Sequence, residues 1–105
     1  MYGGGNIGRG FIGALLSQSG YEVTFIDVAE PVVNALAENH CYPVRYVSGQ
    51  GHEDVLIENV TAVNGNDQEA AAEAIASCDV MATAVGARIL KFIVGNIAAG
   101  LRKRW

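Results

Sequence analysis

The stretch GGGNIGRGF at residues 3–11 constrains this chain more than any other part of it. Gly3, Gly5 and Gly8 fit the spacing G-x-G-x-x-G, which carries meaning when a strand precedes it and a helix follows. Each glycine then has a physical job. Gly3 permits the tight turn out of the strand. Gly5, with no Cβ, lets a pyrophosphate approach the backbone. Gly8 lets the helix pack closely on the sheet. A helix opening near Asn6 aims unpaired N–H groups and its positive end at the phosphates. Arg9 stands in or beside the same turn, facing either a phosphate or solvent. Only Met1 and Tyr2 stand before the loop, so the strand that presents it is short.

The rest of the chain alternates between two hydrophobic periods. Ile7, Phe11, Ala14 and Leu15 recur at helical spacing and predict a helix over 6–19, which Ser19-Gly20 ends. YEVTFID at 21–27 reads as a buried parallel strand. A helix over 29–39 follows, with Pro31 in its first turn and Val32, Val33, Leu36 and Ala37 as its apolar face. YPVRYV at 42–47 predicts a strand, SGQG at 48–51 a turn, and DVLIENVTAV at 54–63 one or two short strands. This middle section departs from a minimal β-α-β unit and suits a small excursion beside the main sheet. NGND at 64–67 is a loop, with Asp67 placed to cap a helix over 68–77. DVMATAV at 79–85 predicts another strand. The last helix runs over 87–103, with Ile89, Leu90, Ile93, Val94, Ile97 and Leu101 facing inward. Strands separated by helices give a parallel sheet with right-handed crossovers. The fold class is therefore α/β: a Rossmann-like parallel sheet with helices on both faces, truncated at its first strand and before its later strands.

Two further features fit a dinucleotide. Asp27 falls 19 residues after Gly8, at the end of the next predicted strand. A carboxylate there accepts hydrogen bonds from the adenosine ribose hydroxyls and repels the 2′-phosphate of NADP, which favours NAD. The competing structural role for Asp27 is to cap the 29–39 helix. Thr83, Ala84, Val85 and Gly86 close the later strand, and ligands of such sheets lie outside the carboxyl ends of the strands. That segment is a second cofactor contact or a plain strand-to-helix turn.

Composition removes other classes. The chain has 105 residues, half of them hydrophobic and 17% charged, which suits one globular domain. The formal net charge of −4 argues against nucleic acid as a partner. Arg88, Lys91, Arg102, Lys103 and Arg104 cluster near the end, where cations offset the negative end of a helix dipole. Cys41, Cys78, His40 and His52 lack metal-ligand spacing. No apolar run approaches the roughly 20 residues that span a bilayer, and no signal-peptide layout opens the chain. These readings give a cytoplasmic protein without metal or membrane. No catalytic set emerges: no Ser-His-Asp spacing, no paired carboxylates, and Lys91 reads as an exposed helix lysine.

GGGNIGRGFIGALL (3–16), FIDV (25–28), TAVG (83–86) and IAAGLRKR (97–104) together resemble the mannitol-1-phosphate 5-dehydrogenases, a family of polyol-specific long-chain dehydrogenases. The resemblance runs along essentially the whole chain. It implies an NAD-dependent, metal-independent oxidoreductase that interconverts mannitol 1-phosphate and fructose 6-phosphate. It places the cofactor loop at Met1, Tyr2, Gly3, Gly4, Gly5, Asn6, Ile7, Gly8, Arg9 and Gly10, and the ribose carboxylate at Asp27. The family's alanine between the first two glycines is Gly4 here. Its catalytic lysine and sugar-phosphate pocket belong to a later helical domain with no counterpart in residues 1–105. The chain is thus expected to be a partial NAD-binding domain without catalysis of its own. A non-catalytic nucleotide-binding module is the alternative, and a domain binding S-adenosylmethionine is disfavoured by GNIGRG. The shortened first strand further predicts that strands 21–27 and 79–85 have unpaired edges or close on each other. The chain would then either self-associate through a sheet edge or show low stability, with the 3–10 loop displaced.

Overall fold

A computed structural model gives the fold and describes residues 1–5, 8–49, 51–86 and 89–104. A π-helix at Gly8–Gly13 leads into α1 (Ala14–Gln18), β1 (Val23–Asp27) and α2 (Glu30–Asn39). Then come β2 (Cys41–Ser48), β3 (Gly51–Glu58), β4 (Val60–Asn64), α3 (Gln68–Ser77) and α4 (Leu90–Arg104).

The main sheet is parallel. β1 pairs with β4, from Val23 opposite Val60 to Asp27 opposite Asn64. On the other side of β1, Tyr2 bridges in parallel to Ile26 and to Thr83. The order across the sheet is β4, β1, Tyr2, Thr83, which is the first half of the doubly wound order with its first strand central. Four backbone bonds hold that centre. Tyr2 N–H donates to Ala82 C=O and Ala84 N–H to Tyr2 C=O, both at 2.8 Å. Gly3 N–H donates to Ile26 C=O at 2.8 Å and Ile26 N–H to Met1 C=O at 3.0 Å. The expectation of a displaced loop is therefore corrected: Met1–Gly3 occupy the central position between Ile26 and Thr83. The predicted strand over 79–85 is the single bridge at Thr83, since among the described residues only Tyr2 bridges to that stretch.

The middle excursion is an antiparallel hairpin, with Cys41 opposite Glu58 and Ser48 opposite Gly51. The 54–63 stretch resolves into two strands. Asn59, at φ 61°, takes the left-handed conformation and turns the chain from the hairpin into β4. His40, at φ 57°, ends α2 in the same way.

Side chains of β1 alternate between two cores, as a period of two requires. Val23 and Phe25 join Met1, Ala14, Val33, Leu36 and Ile57 on one face, while Ile26 joins Tyr2, Ala71, Ile75 and Ile93 on the other. Helices thus cover both faces. Asp67 caps α3, its side chain accepting from Ala70 N–H at 3.1 Å.

Three helix expectations need correction. The helix predicted over 6–19 is a π-helix followed by a short α-helix ending at Gln18. The wider π turn shifts the phase, so Ala14 is buried while Phe11 and Leu15 are exposed. In α2, Val33 and Leu36 face the core and Ala37 does not. In α4, Ile93 is buried and Ile97 half-buried, whereas Ile89, Leu90, Val94 and Leu101 are exposed. The inward stripe of α4 is narrow because it continues through Gly100. A Cβ there would stand 2.5 Å from Ile75 Cβ, so α3 and α4 meet at the glycine. Among the described residues no helix is long and apolar enough to cross a membrane.

Candidate cofactor-binding site

Three glycines stack in series behind the loop. Gly3 has φ +107°, and a Cβ on it would lie 2.5 Å from Ala84 O. A Cβ on Gly8 would lie 2.1 Å from Gly3 O. One on Gly13 would lie 2.5 Å from Gly8 O and 2.6 Å from the Phe25 ring. The close helix-to-sheet packing assigned to Gly8 is therefore shared. Gly8 packs on the loop itself, and Gly13 packs on the sheet through Phe25. Gly13 was not among the expected site residues, although its place in GRGFIG was a visible signal.

Gly5 and Gly10 differ from these three. Among the described residues no atom would lie within 4 Å of a Cβ on either, and Gly5 is exposed. The fold itself does not require glycine at residue 5. Open space beside bare backbone is what an approaching pyrophosphate needs. Gly5 C=O accepts from Arg9 N–H at 2.9 Å, which holds the turn closed. Asn6 and Ile7 lie outside the described residues.

Asp27 ends β1, and its carboxylate reaches back to the loop. Oδ2 accepts from Gly4 N–H at 2.7 Å, and Oδ1 from Val28 N–H at 2.7 Å and Ala29 N–H at 3.1 Å. The N-cap of α2 is Ala29, without a side-chain cap bond. Asp27 therefore stands ahead of the helix and ties the glycine loop to it, in place of the alternative capping role. A carboxylate has roughly four acceptor sites, so hydrogen-bonding capacity remains on this half-buried group.

The segment 83–86 comes to the same place. Gly3 packs on Ala84 and Val85; Thr83 and Gly86 are exposed, and Ala84 and Val85 half-buried. Gly86 C=O also accepts from Ile89 N–H at 2.8 Å, so the segment is a turn as well. Met1 and Tyr2 are buried in the two cores, and the Tyr2 hydroxyl accepts from Asn96 Nδ2 at 2.8 Å. They support the loop from behind. The open reading of Arg9 is answered in part: it is half-buried, with its Nε enclosed and without a hydrogen-bond partner among the described residues. Its C=O accepts from the Tyr42 hydroxyl at 2.7 Å. Tyr42 is a contact that sequence reasoning missed, because it comes from the hairpin. Among the described residues no group of three or more His, Cys, Asp or Glu side chains could hold a metal ion. At the far end, the Lys103 ammonium meets Glu73 at 2.7 Å, and Arg104 donates to the C=O of Ala76 and of Cys78.

The family model for the mannitol dehydrogenase Rossmann domain matches residues 1–105. This chain belongs to that family. It is 48% identical over 103 residues to a mannitol-1-phosphate 5-dehydrogenase of Brevibacillus brevis, covering 98% of this chain and 26% of the relative. A mannitol-1-phosphate 5-dehydrogenase of Shouchella clausii is 48% identical over 104 residues, covering 98% of this chain and 28% of the relative. One from Aspergillus niger is 45% identical over 105 residues, covering 99% and 27%. The chain thus spans about a quarter of the length of the curated relatives it matches. Membership makes this an oxidoreductase-related Rossmann domain and implies a nicotinamide cofactor.

Proposed function

We propose that this chain is the NAD-binding portion of an oxidoreductase interconverting D-mannitol 1-phosphate and D-fructose 6-phosphate. The observation that carries the cofactor reading is Asp27, a carboxylate at the C-terminal end of β1 held to Gly4 N–H at 2.7 Å. A negative group fixed there accepts from ribose hydroxyls and opposes a 2′-phosphate. The substrate pair comes from the printed names of the relatives and from the resemblance of the motifs.

In this reading Gly3 and Gly4 set the turn, and Gly5, Asn6, Ile7, Gly8, Arg9 and Gly10 surround the pyrophosphate. Thr83, Ala84, Val85 and Gly86 form the second wall, while Met1 and Tyr2 hold the loop in place. The bound nicotinamide supplies the hydride chemistry. The chain's own residues bind and orient the dinucleotide, and Asp27 selects its form. Residues 1–105 act as part of a cofactor domain, and the groups that bind the sugar phosphate and move its proton belong to other parts of the enzyme. This chain by itself is then expected to oxidise no mannitol 1-phosphate. The free thiols Cys41 and Cys78 suit a reducing cytoplasmic compartment. Fluorescence titration with NADH and NADPH tests the reading. Tighter binding of NADH supports it, and equal or reversed affinities overturn it.

A further inference from the structure

Six of the eleven residues from Gly3 to Gly13 are glycine. A backbone this permissive spreads over many conformations unless contacts from outside hold it. Fixed points therefore matter more here than in an ordinary turn.

Among the described residues, three hydrogen bonds from outside the segment supply them. Gly3 N–H donates to Ile26 C=O at 2.8 Å, and Gly4 N–H to the Asp27 carboxylate at 2.7 Å. Both of these come from β1. The third comes from the hairpin, where the Tyr42 hydroxyl of β2 donates to Arg9 C=O at 2.7 Å. Arg9 in turn donates its own N–H to Gly5 C=O at 2.9 Å. Arg9 thus links the hairpin to Gly5, where the backbone is exposed.

Tyr42 is itself firmly held. It is 6% exposed and joins the same core as Val44 and Phe25. Its ring meets Phe25 edge-on, with centroids 5.7 Å apart and planes at 73°, a favourable geometry for an aromatic pair. Phe25 also lies against Gly13, the last residue of the π-helix. The ladder with β3, from Cys41 to Ser48, stiffens the strand that carries Tyr42. Packing accounts for the ring, since phenylalanine would fill the same space. It does not account for the hydroxyl, whose bond goes to the glycine-rich turn.

We propose that Tyr42 is a positioning residue for the dinucleotide: through Arg9 it holds the glycine turn in the shape that receives the pyrophosphate, so that the hairpin sets cofactor affinity. The proposal rests on the cofactor reading above. A turn ordered before binding spares the binding step that ordering. Tyr42 acts through Arg9 and not on the cofactor itself.

The test is NADH titration of the unaltered chain, of Tyr42→Phe and of Arg45→Ala. Tyr42→Phe keeps the ring on Phe25 and removes only the hydroxyl. Arg45→Ala breaks an exposed ion pair with Asp54 on the same hairpin. Tyr42→Phe is expected to bind NADH about 3- to 10-fold more weakly, the range of one neutral hydrogen bond. Arg45→Ala should bind as the unaltered chain does, and circular dichroism confirms that each variant is folded. Amide hydrogen exchange gives a second readout without cofactor. The Arg9 N–H, which closes on Gly5, should exchange about 3- to 10-fold faster in Tyr42→Phe while the amides of β1 keep their rates. Equal NADH affinity in Tyr42→Phe, or an equal loss in Arg45→Ala, overturns the proposal and leaves the cofactor reading standing. So does unchanged exchange at Arg9, or exchange that rises equally in β1, which marks a general loss of stability. Absence of NADH binding in the unaltered chain overturns the cofactor reading and the positioning role with it.

Discussion

Gly4 N–H donates to Asp27 Oδ2 at 2.7 Å, joining two residues 23 positions apart. One carboxylate thereby sets the shape of the loop and presents charge at the end of β1. A substitution at Asp27 affects both. Asp27→Ala is expected to weaken NADH binding by about 10- to 100-fold, the scale of hydrogen bonds to a charged acceptor. NADPH should lose much less, so the gap between the two narrows. Parallel titrations of both cofactors check this, with circular dichroism to confirm folding. An undiminished preference for NADH would remove Asp27 from the selective role.

The glycines separate into two kinds that mutation can distinguish. Gly3→Ala forces a side chain into φ +107° and against Ala84 O, and should cost about 2–4 kcal/mol of stability. A Cβ at residue 5 would meet no described atom within 4 Å, so Gly5→Val should fold with near-normal stability and lose dinucleotide binding. Urea unfolding and NADH titration of the two variants give the comparison. A folded Gly5→Val that keeps its NADH affinity would defeat the assigned role.

Asn96 holds the sheet centre from α4. Its Nδ2 donates to the Tyr2 hydroxyl at 2.8 Å and to Gly65 C=O at 2.7 Å. Asn96→Ala leaves both acceptors without that donor and should destabilise the chain by about 1–3 kcal/mol. Tyr2→Phe keeps the bond to Gly65 and should cost less. Equal effects in thermal unfolding would show that the Tyr2 bond, not the pair, carries the energy.

Burial lowers the Met1 ammonium below its ordinary 8.0, with Cys78 opposing the shift. The folded state therefore sheds this proton at lower pH than the unfolded chain does. Between the lowered value and about 8.0 the unfolded chain binds more protons, so stability rises with pH across that window and levels off above it. Nα-acetylation removes the titrating group. The difference in urea midpoint between acetylated and free chains should shrink as pH approaches 8.0. A constant difference from pH 6 upward would exclude the amine as the cause.

How much the sequence disclosed depended on the range of each interaction. Asp67 as a cap and Pro31 in a first turn are local features, and both stand as read. β1 was legible as a strand because YEVTFID is a β-rich, mostly apolar run of the kind a buried parallel strand needs. The π-helix was not, since Gly8, Gly10 and Gly13 erase the side-chain pattern that marks a turn. The outward face of α4 was also hidden. Leu90, Val94 and Leu101 keep helical spacing, but which stripe turns inward is decided by contact between Gly100 and Ile75, 25 positions away in the chain. In the site, Asp27 and the glycine loop were visible as motifs. Tyr42 against Arg9 was not, because a hairpin carries it there.

The hydrogen bond between Tyr2 and Asn96 spans 94 positions, and this sets an order of events during synthesis. Residues 1–3 complete the sheet, yet their partners at 82–84 and 96 are made much later than they are. Contacts this distant in sequence close slowly. The hairpin at 41–58 is local and can form while residues 1–3 still wait for their partners. The expected signature is a nascent chain that resists proteolysis in the hairpin early, and at Met1–Gly3 only after α4 has cleared the exit tunnel.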